Sequence, residues 1–116
     1  MANNFAAVEH MNDRNVEGVS YMKTVLANVM GVNTESEKDN EMGSVAMSAI
    51  KSMARSAFGR LPLFRTEQMD NGVMTFQAFF NDFAEANDLN AHLRVTGVWN
   101  EATQNAFDMI VTKFNA

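Results

Sequence analysis

The sequence predicts an all-α protein of about five helices. Three observations carry this reading. A single proline and six glycines leave long uninterrupted stretches. Apolar residues recur at steps of three and four through several of those stretches, the period of one buried helix face. Glycines stand immediately after two of the strongest runs, where a helix ends most easily in left-handed geometry.

The elements follow in order. Phe5, Val8 and Met11 form a short stripe spaced by three. Asn12–Asn15 then offers capping residues for a helix whose apolar face is Val16, Val19, Met22, Val25, Leu26, Val29 and Met30, with Gly31 as its stop. Residues 32–41, VNTESEKDNE, are polar and acidic without periodicity and read as an exposed loop. Ser44 is the expected N-cap of the next helix, which carries Val45, Met47, Ile50, Met53, Ala54, Ala57 and Phe58 and closes at Gly59. Pro62 biases Leu61 toward an extended conformation. Thr66–Gly72 reads as a turn or a short helical piece closing at Asn71-Gly72.

A second block opens at Thr75, with Phe76, Phe80, Phe83, Ala84 and Asn87 on one helical face. Asp88–Arg94 is a polar connection, and Val95–Trp99 contains a turn at Gly97. Asn100 is placed to cap a last helix with Glu101 in its first turn and Thr103, Ala106, Phe107, Ile110 and Phe114 facing inward. Two regions are therefore expected: 1–72, helical with the acidic loop 32–41, and 73–116, a small helical bundle. The first is either packed on the second or extended from it.

Composition narrows the chemistry. The apolar fraction of 47% and charged fraction of 20% describe a globular chain rather than a disordered one. Ten methionines and nine phenylalanines suggest a core of adaptable side chains, in preference to a Met-lined surface groove. With no cysteine there is no disulfide, thiolate metal site or cysteine nucleophile. His10 and His92 stand far apart in sequence and in no metal-ligand spacing, so neither metal nor cofactor is expected. Glu67, Asp70, Asp82, Glu85 and Asp88 are carboxylates without a partner pattern. Asp82 and Glu85 share a helix face, as solvated helices ordinarily arrange. No enzyme is expected.

The net charge of −5 speaks against a surface built to grip nucleic acid. Lys51, Arg55, Arg60 and Arg65 nevertheless fall in one window without an acid. They form a candidate basic patch, read as a solvated face that offsets the acidic loop rather than as a docking surface. No run of apolar residues is long enough to span a membrane, and Met1–Ala7 shows no secretory pattern, so the expectation is a chain that is cytoplasmic on synthesis.

The stretch from Phe76 to about Phe114 carries a resemblance. Phe76-Gln77 with Phe80, then Thr96-Gly97-Val98-Trp99-Asn100, then Thr103-Gln104-Asn105-Ala106 resembles the peptidoglycan-binding-domain family, small three-helix modules of bacterial and phage lytic enzymes. Thr96 stands where that family usually has Asp, and its closing Phe-Gln is absent. The resemblance implies a C-terminal three-helix bundle and, with it, a glycan- or partner-binding site at Arg94, Trp99 and Asn100. Two readings of function are open, and only the second takes its function from the resemblance. One is a non-catalytic structural or interaction protein, an accessory or virion protein of a phage or mobile element, docking on a larger partner or on itself through the Val16–Met30 stripe. The other is a peptidoglycan-binding module of a phage lytic or tail apparatus.

Overall fold

The computed structural model describes residues 14–34, 42–62 and 71–116. Among them it is all-helical, with four helices: α1 (Arg14–Met30), α2 (Ser44–Phe58), α3 (Gly72–Ala86) and α4 (Glu101–Asn115). The expected stripe at Phe5, Val8 and Met11, most of Thr66–Gly72 and most of the acidic loop lie outside the described residues.

Helix α1 forms where the apolar period placed it and ends at Gly31, whose φ of +67° is left-handed and whose N–H bonds to the Ala27 carbonyl at 3.0 Å. The middle of its stripe, expected as a docking face, is turned into the chain's own core instead. Val19, Met22 and Leu26, spaced by three and four, are fully buried in the chain's own core, with Val25, Val29 and Met30 packed at its margin.

Helix α2 begins one residue earlier than expected. Gly43 holds the N-cap position in extended geometry without a side-chain bond, and Ser44 is the first helical residue. Met42, Met47 and Met53 are buried in the same core as Met22, with Met30 and Met109 at its margin, the use expected of these methionines.

The start of α3 also corrects the sequence reading. Asn71-Gly72 is not a closing turn but a helix opening, with Asn71 Oδ1 accepting the Met74 N–H at 2.8 Å. Gly72 lies so close to the preceding segment that a Cβ would overlap the Met42 carbonyl oxygen. At its other end α3 turns through Asp88 at φ 58°, with Leu89 N–H bonded to the Ala84 carbonyl (2.8 Å) and Asp88 N–H to that of Glu85 (3.2 Å). These paired bonds are a Schellman ending with aspartate in the left-handed position that glycine usually takes.

From Asp88 the chain runs back along α3. Leu93 lies against Asn81, Thr96 and Gly97 against Gln77, and Trp99 against Phe76. Helix α4 therefore starts beside the start of α3 and runs in the same direction. It packs mainly on α2, which also packs on α1 and α3. At the far end the C-termini of three helices meet. Phe58 of α2 packs edge-on to Phe83 of α3 (5.0 Å, 89°), and Lys113 of α4 lies over the Phe58 ring.

One continuous core extends from Val19 to Ile110. The expected N-terminal and C-terminal regions share it, and the C-terminal bundle takes its third helix, α2, from before residue 72. Gly18 makes the joint closest. Its backbone lies against the Trp99 indole, where a Cβ would overlap the ring.

Candidate functional site

The recognisable C-terminal stretch is organised by an amide. Gln77 projects from α3 and is fully buried. Its Oε1 accepts the N–H groups of Thr96 and Gly97, each at 2.9 Å. Its Nε2 donates to Thr103 Oγ1 at 2.9 Å and to the Val98 carbonyl at 3.1 Å. A glutamine can do this because one side chain carries an acceptor with two lone pairs and two donors. Gly97, at φ +80°, supplies the left-handed turn that points successive N–H groups at one oxygen. Four residues on, and so on the same face of α3, Asn81 repeats the device. Its Oδ1 accepts the Leu93 N–H at 2.6 Å and its Nδ2 donates to the Leu93 carbonyl at 2.9 Å. Two helical amides thus take the place of a partner strand for the returning segment.

Thr103 closes the circuit. Its Oγ1 donates to Asn100 Oδ1 at 2.8 Å, and the same oxygen caps α4 by accepting the Thr103 N–H at 2.9 Å. Trp99 is wholly interior, stacked on Phe76 (5.7 Å, 24°) and edge-on to Phe107 (5.9 Å, 65°). Its indole N–H donates to Gln104 Oε1 at 2.7 Å.

The binding role expected of Trp99 is therefore corrected. A sugar stacks on an open ring face, and Gly18, Phe76 and Phe107 enclose this one. Asn100 is half-buried with its side-chain oxygen engaged in the cap, while Arg94 is exposed. The sequence singled out Trp99 and Asn100 but missed the work of Gln77, Asn81 and Gln104. The available signal was a pair of amides, Gln77 and Asn81, one turn apart beside a phenylalanine stripe.

Among the described residues the basic window is divided between different neighbours. Lys51 is half-buried with its Nζ 5.6 Å from the Phe79 ring centroid. Arg55 lies in the last turn of α2. Arg60 Nη1 donates to the Ala86 carbonyl at the end of α3, at 3.3 Å, while Asn87 Nδ2 donates to the Arg60 carbonyl. Arg65 lies outside the described residues. Helix C-termini carry partial negative charge, and three of them meet here. Arg55 answers α2, Lys113 answers α4, and α3, which has no basic residue in its own last turn, borrows Arg60.

One carboxylate sits in the seam between α1 and α4. Burial pushes the Asp108 carboxyl above its ordinary value of 3.8, and the hydrogen bond from Gln104 Nε2 (2.7 Å) pulls it partly back. Burial and the nearby Asp108 charge both raise Tyr21 of α1. An acid whose folded pKa is raised adds nothing below pH 3.8, where folded and unfolded chains are both protonated. As pH rises the unfolded chain ionises first, so stability falls until the folded pKa is passed. Asp108→Asn keeps the acceptor for Gln104 and removes that charge. It is expected to raise the melting temperature at neutral pH and to leave it nearly unchanged in strong acid. A larger loss at neutral pH than in acid would contradict this.

Among the described residues no three histidine, aspartate or glutamate side chains come together as a metal site, and no helix is long and apolar enough to cross a membrane. No family model, curated protein or solved structure matches the chain.

Proposed function

We propose that this chain is a non-catalytic helical interaction protein, an accessory or virion component of phage or mobile-element type, that docks on a larger protein partner. The observation that supports it is the complete enclosure of Trp99. Gly97, Trp99, Asn100, Thr103 and Gln77, the residues that carry the likeness to wall-binding modules, are all spent on holding the returning segment to α3. Their likeness is then accounted for by the fold alone, and function belongs to sites rather than folds. In this reading the chain is made in the cytoplasm and acts within a particle or complex.

The second reading, a peptidoglycan-binding module, draws on the exposed Arg94 in the segment that leads to the Gly97 turn. Co-sedimentation with purified peptidoglycan separates the two. The chain is expected to stay in the supernatant at the level of an unrelated control protein. Pelleting that Arg94→Ala abolishes would overturn the docking reading in favour of the glycan one.

A further inference from the structure

The sequence contains a single Asn-Gly pair, Asn71-Gly72, and the structure places it where the fold alone protects it. We propose that Asn71 is a conformation-gated deamidation site, a position that converts irreversibly when the α3 entry opens and is inert while it is closed.

The chemistry is that of any asparagine followed by a residue without a side chain. The Gly72 backbone nitrogen, having lost its proton, attacks Asn71 Cγ. The new C–N bond closes a succinimide as the bond to Nδ2 breaks and ammonia leaves. Water then opens the ring at either carbonyl, giving aspartate or, with the main chain rerouted through the side chain, isoaspartate. Glycine favours the attack because it leaves the nitrogen unshielded.

Glycine at 72 is fixed by packing, since any Cβ would overlap the Met42 carbonyl oxygen. The fold therefore cannot discard the reactive pair by changing Gly72, and it protects Asn71 instead. Attack requires rotation about the Asn71 ψ, which is 163°. That rotation swings the Asn71 carbonyl oxygen, which accepts both the Thr75 N–H and the Thr75 hydroxyl at 3.1 Å. It also requires Asn71 Oδ1 to release the Met74 N–H. Asn71 is otherwise exposed, but Gly97 crowds one side of its amide, so near that a Cβ on it would stand 2.9 Å from Asn71 Nδ2. Reaction must wait for an opening of the α3 entry that releases the Thr75 and Met74 bonds.

The two products differ in consequence. Aspartate at 71 retains the capping oxygen and adds a negative charge at a helix N-terminus, where it is favourable. Isoaspartate routes the main chain through Cβ, adding a methylene between the residue 71 Cα and Gly72, and turns the carbonyl that anchored Thr75 into a free carboxylate, so a chain that opens and reacts this way cannot close again in register.

The test is intact-mass and peptide mass spectrometry of the full chain held in mildly alkaline buffer, native and in urea. The native chain is expected to gain the amide-to-acid mass at Asn71 at least about tenfold more slowly than the denatured chain, because only the open fraction reacts. Asn71→Ser, which keeps a capping oxygen, should abolish the gain in urea. The Gly18→Ala chain, loosened at Trp99, should react faster than wild type under native conditions. Equal rates in the native and denatured wild-type chain, or conversion spread evenly over other asparagines in urea, would overturn the proposal.

Discussion

Gln77→Leu is expected to lower unfolding stability by about 3–5 kcal/mol, a large part of what a domain of this size possesses. Leucine matches the volume and keeps the apolar contacts, so the loss is that of hydrogen bonds. The Thr96 and Gly97 N–H groups lose their shared acceptor, and the Val98 carbonyl and Thr103 hydroxyl lose a donor. A buried polar group left without a partner costs about 1–3 kcal/mol, and the sum is reduced because the turn can shift toward water. Gln77→Glu restores the acceptor but not the donor, and is expected to recover only part of the loss. Urea denaturation of the three proteins measures this. A cost under about 1 kcal/mol for Gln77→Leu would mean that the turn does not depend on the amide.

Trp99→Ala is expected to cost about 3–5 kcal/mol, the range for truncating a large buried aromatic. A residue displayed for ligands would cost far less. The ring also meets Gly18 of α1, which makes a second measurement informative. In the wild type, Gly18→Ala gains about 1 kcal/mol of helix propensity but forces a methyl group into the indole, an overpacking worth about 1–3 kcal/mol or more. In a Trp99→Ala background the obstruction is gone, and Gly18→Ala should become neutral or stabilising. That sign change is the expected result of the double-mutant cycle. Additive effects would show that α1 does not rest on Trp99 in solution.

Much of the secondary structure was legible because it depends on local chemistry. The stripe of Val19, Met22 and Leu26 with Gly31 behind it fixes α1, and Asn100 with Glu101 opens α4 whatever lies around them. The start of α3 was misplaced because Asn-Gly is equally good as a turn and as a cap followed by a first helical residue. The distinction comes from Met42, distant in sequence, whose carbonyl occupies the space a Cβ would need. The candidate site was legible in identity and not in role. Trp99 reads as exposed or buried with equal ease in a one-dimensional pattern, and its enclosure depends on Gly18, far away in the chain. Likewise the basic window is contiguous in sequence, yet the two termini that use it belong to different helices, α2 through Arg55 and α3 through Arg60.

The returning segment shows how little sequence a fold of this kind needs to state. A backbone ladder would spread its register over every residue of two strands, with each pair contributing a little. Here the position of an entire connection is recorded at two places, Gln77 and Asn81, by side chains one helical turn apart. Such a record is sparse. Most of the residues between Asp88 and Val95 are free to change while the address they are delivered to stays the same, and unrelated chains can arrive at the same few letters by meeting the same geometric demand.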